Sequence, residues 1–273
     1  MRLRLGLTLL GTLALGALLA PLLQSWLGHD PFTPDLFDRF AAPSARHPLG
    51  TDELGRDILL RLLYGARVSL AVALAVALGA TLLGTAIGLL AAWAGGWTEA
   101  LLMRLADGML ALPALPLLVV LAAMDTGRFG LPRGEAASDI ARIAAILVVF
   151  GWVGVARLAR AAALTQLSLD YVAAARVAGA GEGRVLLRHV LPNIAGPIAV
   201  ASALSVAGAI LAESTLSFLG LGIQPPAPSW GNMLSNAQEM VFSAPLTAVW
   251  PGLAILLAVT GCTLVADGVR RRP

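Results

Sequence analysis

The segment "GTDELGRD", from Gly50 to Asp57, has the glycine spacing of a phosphate-binding loop, G-x-x-x-x-G-K-[ST]. In such a loop a lysine reaches the terminal phosphates and a hydroxyl group holds magnesium. Here Arg56 and Asp57 occupy those two places, and an acidic side chain there would repel phosphate. All 19 of the Lys and Arg residues are arginines, so the chain contains no lysine. The sequence therefore excludes ATP hydrolysis by a loop of this kind.

Other catalytic patterns are also missing from the sequence. An intramembrane hydrolase would need GxSxG, HExxH or a pair of aspartates within its apolar segments, and none of these occurs. Asp107 and Glu213 are separate carboxylates in different apolar segments, and no spacing links them as an acid–base pair. We therefore predict no catalytic residue in this chain.

Histidine and cysteine, the residue types that most often bind transition metals, are widely separated along the chain. The three histidines, His29, His47 and His189, are far apart in sequence, and Cys262 is the only cysteine. No metal site is predicted from this spacing. Glu213 lies deep in an apolar segment, where a charge costs at least about 2.5 kcal/mol. It is a candidate either for lining a translocation path or for a structural hydrogen bond to a neighbouring helix.

The elements that carry these residues are long apolar segments. Of the 273 residues, 58% are hydrophobic and 13% are charged, and the mean hydropathy is +0.82. Soluble domains carry roughly 25% charged residues. The composition predicts an all-α, polytopic membrane protein, because apolar runs of spanning length recur along the chain. The six predicted spans are Leu5–Leu27, Val68–Ala94, Leu101–Ala123, Ile140–Leu158, Ile194–Leu219 and Leu246–Val265.

The placement of the arginines predicts the orientation in the membrane. With a cytoplasmic amino terminus, eleven arginines fall in cytoplasmic segments and eight in outer segments, where ten acidic residues offset them. Both termini are then cytoplasmic, and Leu5–Leu27 is a retained anchor rather than a cleaved signal peptide. The basic residues are scattered between spans, so nucleic-acid binding is not indicated.

Small residues repeat along one side of the second predicted span, at Ala80, Gly84 and Gly88. Such a stripe lets another helix approach closely. The neighbouring helix belongs either to this chain or to a second membrane subunit, and the sequence leaves both alternatives open.

A polar stretch separates the fourth and fifth spans. Asp170 is predicted to cap a short alanine-rich helix over Tyr171–Ala178. Gly179 is expected to end this helix in a left-handed conformation, and Val185–Val190 to begin a second helical piece. A rigid, capped helix between two spans suits docking into a groove on another protein. An ordinary amphipathic loop at the membrane surface is the alternative.

The same stretch, "YVAAARVAGAGEGRVLLRHVLPN", resembles the cytoplasmic EAA loop of ABC-importer permeases, whose pattern is E-A-A-x3-G followed by I-x-L-P. Gly179 matches the family glycine. Two positions depart from the pattern, because Ala173 replaces the glutamate and His189 replaces the isoleucine. The resemblance implies that the loop docks into an ATP-binding subunit, and the residues expected to form this coupling site are Ala173, Ala174, Ala175, Arg176, Gly179, Arg184, Leu191 and Pro192.

Two further stretches resemble the dipeptide/oligopeptide/nickel class of these permeases. Residues 47–70, "HPLGTDELGRDILLRLLYGARVSL", resemble the segment before the second span, and residues 211–234, "LAESTLSFLGLGIQPPAPSWGNML", resemble the end of the fifth span and its outer loop. The three matches follow the order of the family and, together with the spans between them, cover nearly the whole chain. The loop at 125–139 has no such match. The outer-segment motif consists of Gly50, Thr51, Asp52, Gly55, Arg56 and Asp57.

The resemblance implies a type I ABC-importer permease of the bacterial inner membrane, specifically the C-type subunit of a heterodimeric pair. Residues 1–67 are expected to form the anchor helix and outer segment, and residues 68–273 the permease domain, with the coupling loop at about 159–193. The implied partners are a second related permease, two cytoplasmic ATPase subunits, an external solute-binding protein and membrane lipid. ATP and magnesium would bind to the ATPase subunits, so this chain is expected to bind no cofactor and to be no enzyme.

The implied function is uptake by alternating access, with di- and oligopeptides as the expected cargo. Nickel or another small solute remains an alternative. A stand-alone secondary transporter or channel is the alternative from another class of protein. It would show internal repeats or broken helices in matching halves of the chain, and the sequence shows neither.

Overall fold

The computed structural model describes residues 1–124, 134–235, 240, 242 and 244–270. The described residues form eight helices and two 3-10 turns, at Leu36–Asp38 and Asn232–Leu234. The helices are α1 Arg2–Leu27, α2 Ile58–Ala94, α3 Gly96–Ala111, α4 Ala114–Ala123, α5 Ala136–Leu167, α6 Asp170–Val177, α7 Glu182–Phe218 and α8 Leu246–Arg270.

Five of these helices, α1, α2, α5, α7 and α8, are long and apolar enough to cross a membrane. If α3 and α4 are counted together as one bent span, they form the sixth. The prediction of an all-α protein with six apolar spans is thereby confirmed. Helix α2 begins at Ile58 rather than Val68, because the Asp57 carboxylate accepts a hydrogen bond from the Leu60 amide at 2.8 Å and caps the helix there.

The third span differs from its prediction as one continuous segment over Leu101–Ala123. Helices α3 and α4 meet at an angle of 87°. The cause is Pro113, which has no amide hydrogen and disfavours a helical conformation in the residue before it. Leu112 accordingly has φ −79° and ψ 140°, in the extended region.

The start of α1 and the end of α8 lie at the same end of the helix bundle, which we call the terminal end. Arg2 in α1 and Asp267 in α8 form an ion pair of 2.7 Å. Leu158, Pro197 and Arg270 line one cavity at this end. Helix α5 ends and α7 begins there, so α6 lies at the terminal end as well. The segment 28–57 and the loop 219–235 meet at the opposite end, which we call the loop end, where Asp52 and Arg56 line one cavity with Asn232 and Met233.

The small-residue stripe of α2 packs inside the chain. A Cβ atom on Gly84 would lie 2.6 Å from the Trp152 carbonyl oxygen, and one on Gly88 would lie 2.5 Å from the Ala156 carbonyl oxygen. Both contacts are with α5, so the backbones of α2 and α5 approach too closely for any side chain at these positions. Of the two alternatives, contact with another helix of this chain is the correct one.

Several predictions concern residues outside the described ranges. Residues 125–133 of the loop at 125–139, the acidic Glu239, and Arg271 and Arg272 of the carboxyl-terminal tail all fall there.

Candidate functional site

Helix α6 is held at the terminal end by apolar contacts. Val172 is fully buried and belongs to an apolar cluster with Val185, Val190 and Ile194 of α7. Ala159 of α5 and Leu89 of α2 belong to the same cluster. Burying a valine side chain contributes about 1.5 kcal/mol or more. One face of α6 is therefore packed onto the ends of three spanning helices.

Tyr171 adds polar contacts between α6 and its neighbours. Its hydroxyl oxygen lies 2.8 Å from the Gln166 side-chain oxygen in α5 and 3.2 Å from the His189 carbonyl oxygen in α7. The Asn193 amide group donates to the Tyr171 hydroxyl at 3.3 Å and to the His189 carbonyl at 2.6 Å. These contacts join the end of α5, the start of α6 and the start of α7.

Gly179 ends α6 as predicted. It has φ 85°, in the left-handed region that favours glycine. The Gly179 amide donates to the Arg176 carbonyl at 3.0 Å, and the Ala180 amide donates to the Ala175 carbonyl at 3.0 Å. This pair of bonds is a Schellman motif, which satisfies carbonyl groups that the last helical turn leaves open.

The prediction that Asp170 caps the start of α6 is wrong. Leu169 occupies the N-cap position without a side-chain hydrogen bond, and Asp170 is the first helical residue. Helix α5 continues to Leu167, so only two residues separate the two helices and the cap falls one position earlier than expected. The Asp170 carboxylate still lies in the first turn, where a negative charge interacts favourably with the helix dipole.

The outer face of α6 and the turn after it are exposed, and we call this surface the α6 tip. Its residues are Ala173, Ala174, Arg176, Val177, Ala178 and Gly179. Val177 has a relative exposure of 90%, whereas Ala175 is partly buried. Arg176 pairs with Glu182 in two hydrogen bonds of 2.9 and 3.1 Å, so its guanidinium group is already engaged within the chain. Arg184 is exposed one turn further on.

Leu191 and Pro192 lie inside α7 rather than at its start. The helix begins at Glu182 and passes through a π-helical turn over Val185–Val190. The Leu191 amide donates to the Leu186 carbonyl, five residues earlier. Pro192 has no amide hydrogen, and a proline ring clashes with the carbonyl four residues earlier in a regular helix. The wider turn accommodates this proline, and it carries α7 continuously from the α6 region into the bundle.

At the loop end, the motif residues Gly50 to Asp57 form a tight turn fixed by buried charges. The Asp52 carboxylate accepts hydrogen bonds from the Leu54 and Arg56 amides, both at 2.9 Å, and from the Arg56 guanidinium at 2.8 Å. The Arg61 guanidinium lies 3.3 Å from the same carboxylate. Amide groups that would hold phosphate in a phosphate-binding loop are thus bound to an acidic side chain of the chain itself.

The other motif positions serve the backbone of this turn. A Cβ atom on Gly55, which has φ 74°, would lie 1.7 Å from the Asp35 carbonyl oxygen. Gly50 also has a positive φ of 81°. The Thr51 hydroxyl donates to the Asp38 carbonyl and accepts from the Ala41 amide. Only glycine fits at position 55, because any side chain would displace the segment at Asp35.

Glu213 is fully buried in α7 and hydrogen-bonded on both carboxylate oxygens. Ser217 donates to one oxygen at 2.7 Å, and Ser69 of α2 donates to the other at 3.0 Å. The same serine oxygens accept the amides of Ile223 and Trp230, at 3.1 and 3.2 Å. Glu213 therefore joins α7, α2 and the loop 219–235. Of the two roles considered for it, these contacts favour the structural hydrogen bond.

Arg142 and Asp139 form a second buried polar group that the sequence did not predict. The two side chains pair at 3.2 Å with 1% and 0% exposure. Arg142 also donates to the Ala122 carbonyl at 2.9 Å and the Gly222 carbonyl at 3.1 Å, while Asp139 accepts the Gln224 amide at 3.1 Å. The sequence feature that could have indicated this pair is an arginine three residues after an aspartate in a helix. The pair ties α4 and α5 to the loop 219–235.

The fold and these sites agree with the comparison to known families. Residues 84–272 match the model of the family described as "Binding-protein-dependent transport system inner membrane component". The match spans more than half of the chain, and the chain belongs to this family. It is a multi-pass subunit of an ABC-type transport system with the type I importer permease fold. The prediction of a binding-protein-dependent permease is therefore confirmed over that of a stand-alone transporter or channel.

Three individual proteins of this kind are similar to the chain over most of its length. The chain is 38% identical to the dipeptide transport system permease protein DppC of Alkalihalophilus pseudofirmus, over 97% of this chain and 83% of the relative. It is 45% identical to the protein of the same name from Escherichia coli K12, over 83% of this chain and 72% of the relative. The glutathione transport system permease protein GsiD of Pectobacterium atrosepticum is 36% identical over 86% of this chain and 74% of the relative.

Proposed function

We propose that this chain forms one half of the translocation pore of a bacterial importer for short peptides. A second, related permease subunit supplies the other half, and an external solute-binding protein delivers the cargo. Three relatives with 36% to 45% identity over most of the chain carry names that specify dipeptide or glutathione transport. All of these cargoes are short peptides, which is why we favour them over nickel or another small solute.

The α6 tip is the proposed contact with the cytoplasmic ATPase subunits. The observation that carries this proposal is the division of α6 into two faces. Val172 is buried against α7 and α5, while Val177 is 90% exposed only five residues later. A force applied to the exposed face is transmitted to the spanning helices, because the buried face shares their apolar cluster. Closure of the ATPase pair would in this way move α5 and α7.

ATP and magnesium bind to the ATPase subunits in this proposal, and the chain itself contributes movement rather than hydrolysis. The chain has no lysine, and in the segment from Gly50 to Asp57 the Asp52 carboxylate occupies backbone amides that a phosphate-binding loop would offer to phosphate. Small residues at Ala173 and Ala174 permit close approach of the partner's backbone, and Arg184 offers a charge to acidic groups or lipid phosphates. The family glutamate, absent at Ala173, is not needed to build or terminate the helix.

The proposed orientation places the terminal end in the cytoplasm and the loop end outside. The excess of arginine in segments at the terminal end supports it. The segment 28–57 would then face the solute-binding protein. Phe37 is fully exposed in this segment, with a relative exposure of 101%, and an exposed aromatic side chain is a common anchor at protein interfaces.

Two measurements test the proposal. Affinity purification of the tagged chain from native membranes in mild detergent is expected to recover a second permease and two ATPase polypeptides or one ATPase in two copies. The recovered complex, in liposomes with its binding protein, is expected to accumulate labelled dipeptide only with ATP present. Uptake of Ni²⁺ but not of dipeptide would contradict the proposed peptide cargo and would leave the proposed ATP-dependent mechanism standing. Transport by the chain alone without ATP would contradict the mechanism itself.

A further inference from the structure

The fold brings two of the distant histidines together at the loop end. The rings of His29 and His47 lie 4.7 Å apart between centroids, and both face the Asp57 carboxylate. Local spacing did not predict this approach, because 18 positions separate the two histidines and no metal-binding spacing connects them. We propose that His29, His47 and Asp57 form a binding site for a divalent transition metal, with Zn²⁺ as the best match.

The distances suit a small tetrahedral ion. One ligand atom from each of the three side chains lies within 4.8 Å of the others. The His29 Nε2 atom is 3.6 Å from Asp57 Oδ2, and the His47 Nδ1 atom is 3.0 Å from the same oxygen. In a tetrahedral zinc site with bonds of about 2.0–2.1 Å, ligand atoms are separated by roughly 3.3 Å. Small shifts of the side chains would complete the geometry.

Burial of the ring nitrogens gives a second, independent reason. The side chains of His47 and Asp57 are 8% and 1% exposed, and that of His29 is 15% exposed. Within the part of the chain that the structure describes, the His29 and His47 Nε2 atoms are buried and have no hydrogen-bond partner. Leaving a buried polar atom unpaired costs about 1–3 kcal/mol. A hydrogen bond between His47 and Asp57 alone would leave His29 Nε2 unsatisfied, whereas a metal ion would use it.

The surroundings of the three ligands resemble a supported metal site. If His47 Nδ1 binds the metal, its Nε2 atom lies 3.6 Å from Asp38 Oδ2. A small shift would bring the two atoms within hydrogen-bond distance, and such a carboxylate would fix the orientation of a ligating histidine. The second oxygen of Asp57 is held by the Leu60 amide at 2.8 Å. A cavity of about 200 Å³ adjoins the ligands, and Asp30 and Asp35 also line it. It leaves room for a water molecule as the fourth ligand, and the acidic lining attracts cations.

The three ligands come from three separate parts of the outer region. His29 follows the end of α1, His47 lies in the connecting segment, and Asp57 caps α2. A bound ion would clip the first two spanning helices and the segment between them into one unit. Imidazole and carboxylate ligands suit zinc, and copper or nickel would compete for the same donors. The site is separate from the proposed coupling surface, so its failure would leave the proposed function standing.

The test uses the full chain in detergent with an affinity tag that contains no histidine. After treatment with a chelator, titration calorimetry with ZnCl₂ is expected to show saturable binding of one ion per chain, and zinc is expected to raise the melting temperature. His29→Ala is the decisive variant, because it removes one ligand and leaves the His47–Asp57 contact and the α2 cap in place. We expect it to weaken zinc binding at least about tenfold.

Two further variants distinguish the loss of a zinc ligand from misfolding of the chain. His189→Ala removes a histidine at the terminal end and is expected to bind zinc like the unmodified chain. Asp57→Asn keeps an acceptor for the α2 cap but loses the negative ligand, and it is expected to lose zinc binding while the metal-free melting temperature changes little. No saturable binding by the unmodified chain, or equal affinity in His29→Ala, would overturn the site.

Discussion

The loop end and the terminal end of this molecule hold their polar segments in place by different kinds of contact. At the loop end, charged side chains are buried and hydrogen-bonded, as in Arg142 with Asp139 and Glu213 with Ser69. At the terminal end, α6 is fixed by a buried valine, and its ion pair between Arg176 and Glu182 is about 43% exposed. The polar contacts are buried at the loop end, whereas at the α6 region the buried contact is apolar and the polar contacts, including those of Tyr171, are exposed.

This difference fits the two proposed roles. Buried charge pairs tolerate little rearrangement, because each separated group would be left without a partner in a region of low polarity. An apolar contact has no such directional requirement, and the hydrogen bonds of Tyr171 to α5 and α7 are exposed to solvent, so a load on α6 would leave no buried polar group without a partner. The loop end is therefore expected to be the more rigid region, and the terminal end carries the surface that we propose for the ATPase subunits.

The largest effect is expected from breaking a buried ion pair at the loop end. Arg142→Met removes one partner of a pair with 1% and 0% exposure and leaves the buried Asp139 carboxylate without its ionic partner. The expected loss in free energy of unfolding is about 3–5 kcal/mol. Thermal melting of the detergent-solubilised protein, followed by size-exclusion chromatography, measures it.

The matched control for this variant is Arg157→Met. Arg157 pairs with Asp107 at 3.3 Å, but the two side chains are 53% and 62% exposed. An exposed pair contributes about 0–1 kcal/mol. Equal losses for the two arginine variants would show that the loop end is not the more rigidly specified region.

An intermediate effect is expected from charging the buried face of α6. Val172→Asp places a carboxylate in the apolar cluster with Val185 and Val190 and is expected to cost at least about 2 kcal/mol locally. Val177→Asp makes the same chemical change on the exposed face and should alter stability by less than about 0.5 kcal/mol. Trypsin cleavage at Arg176 and Arg184 reports the opening of α6, and it should accelerate only in the Val172 variant.

The smallest change in stability is expected at the end of α6, where we also expect a large change in function. Gly179→Asp forces a side chain into a left-handed conformation, at a cost of about 1–2 kcal/mol. It also adds a charge to the α6 tip. We expect ATP hydrolysis by the assembled importer to continue while peptide uptake falls.

Gly183→Asp is the companion variant for this experiment. Gly183 lies four positions away, has no positive φ, and faces open space. It should retain uptake. If Gly179→Asp transports as well as the unmodified importer, the coupling role of the α6 tip is contradicted.

Much of the architecture could be predicted from local sequence features. Apolar runs identified the spans because each run satisfies its own backbone hydrogen bonds as a helix. Gly179 identified the end of α6 because few other residues adopt its conformation. The angle within the third span was missed, although Pro113 is visible in the sequence, since a proline permits either a kink or a break and only packing decides between them.

The polar contacts at the loop end could not be predicted in the same way. Glu213 reaches Ser69 across 144 positions of chain, and Arg142 reaches Gly222 across 80. The approach of His29 to His47 likewise depends on how the segment 28–57 folds over the start of α2. Contacts of this kind follow from the three-dimensional arrangement of helices, and one sequence contains no local pattern for them.

Site-directed crosslinking is the most direct test of the different roles proposed for the terminal end and the loop end. In a Cys262→Ala background, Val177→Cys places a single cysteine on the α6 tip and Phe37→Cys places one on the outer segment, at positions with 90% and 101% exposure. With a photoactivatable crosslinker in membranes that contain the assembled importer, we predict that the Val177 variant forms an adduct with an ATPase subunit and the Phe37 variant with the solute-binding protein. An ATPase adduct at Phe37, with none at Val177, would contradict the account.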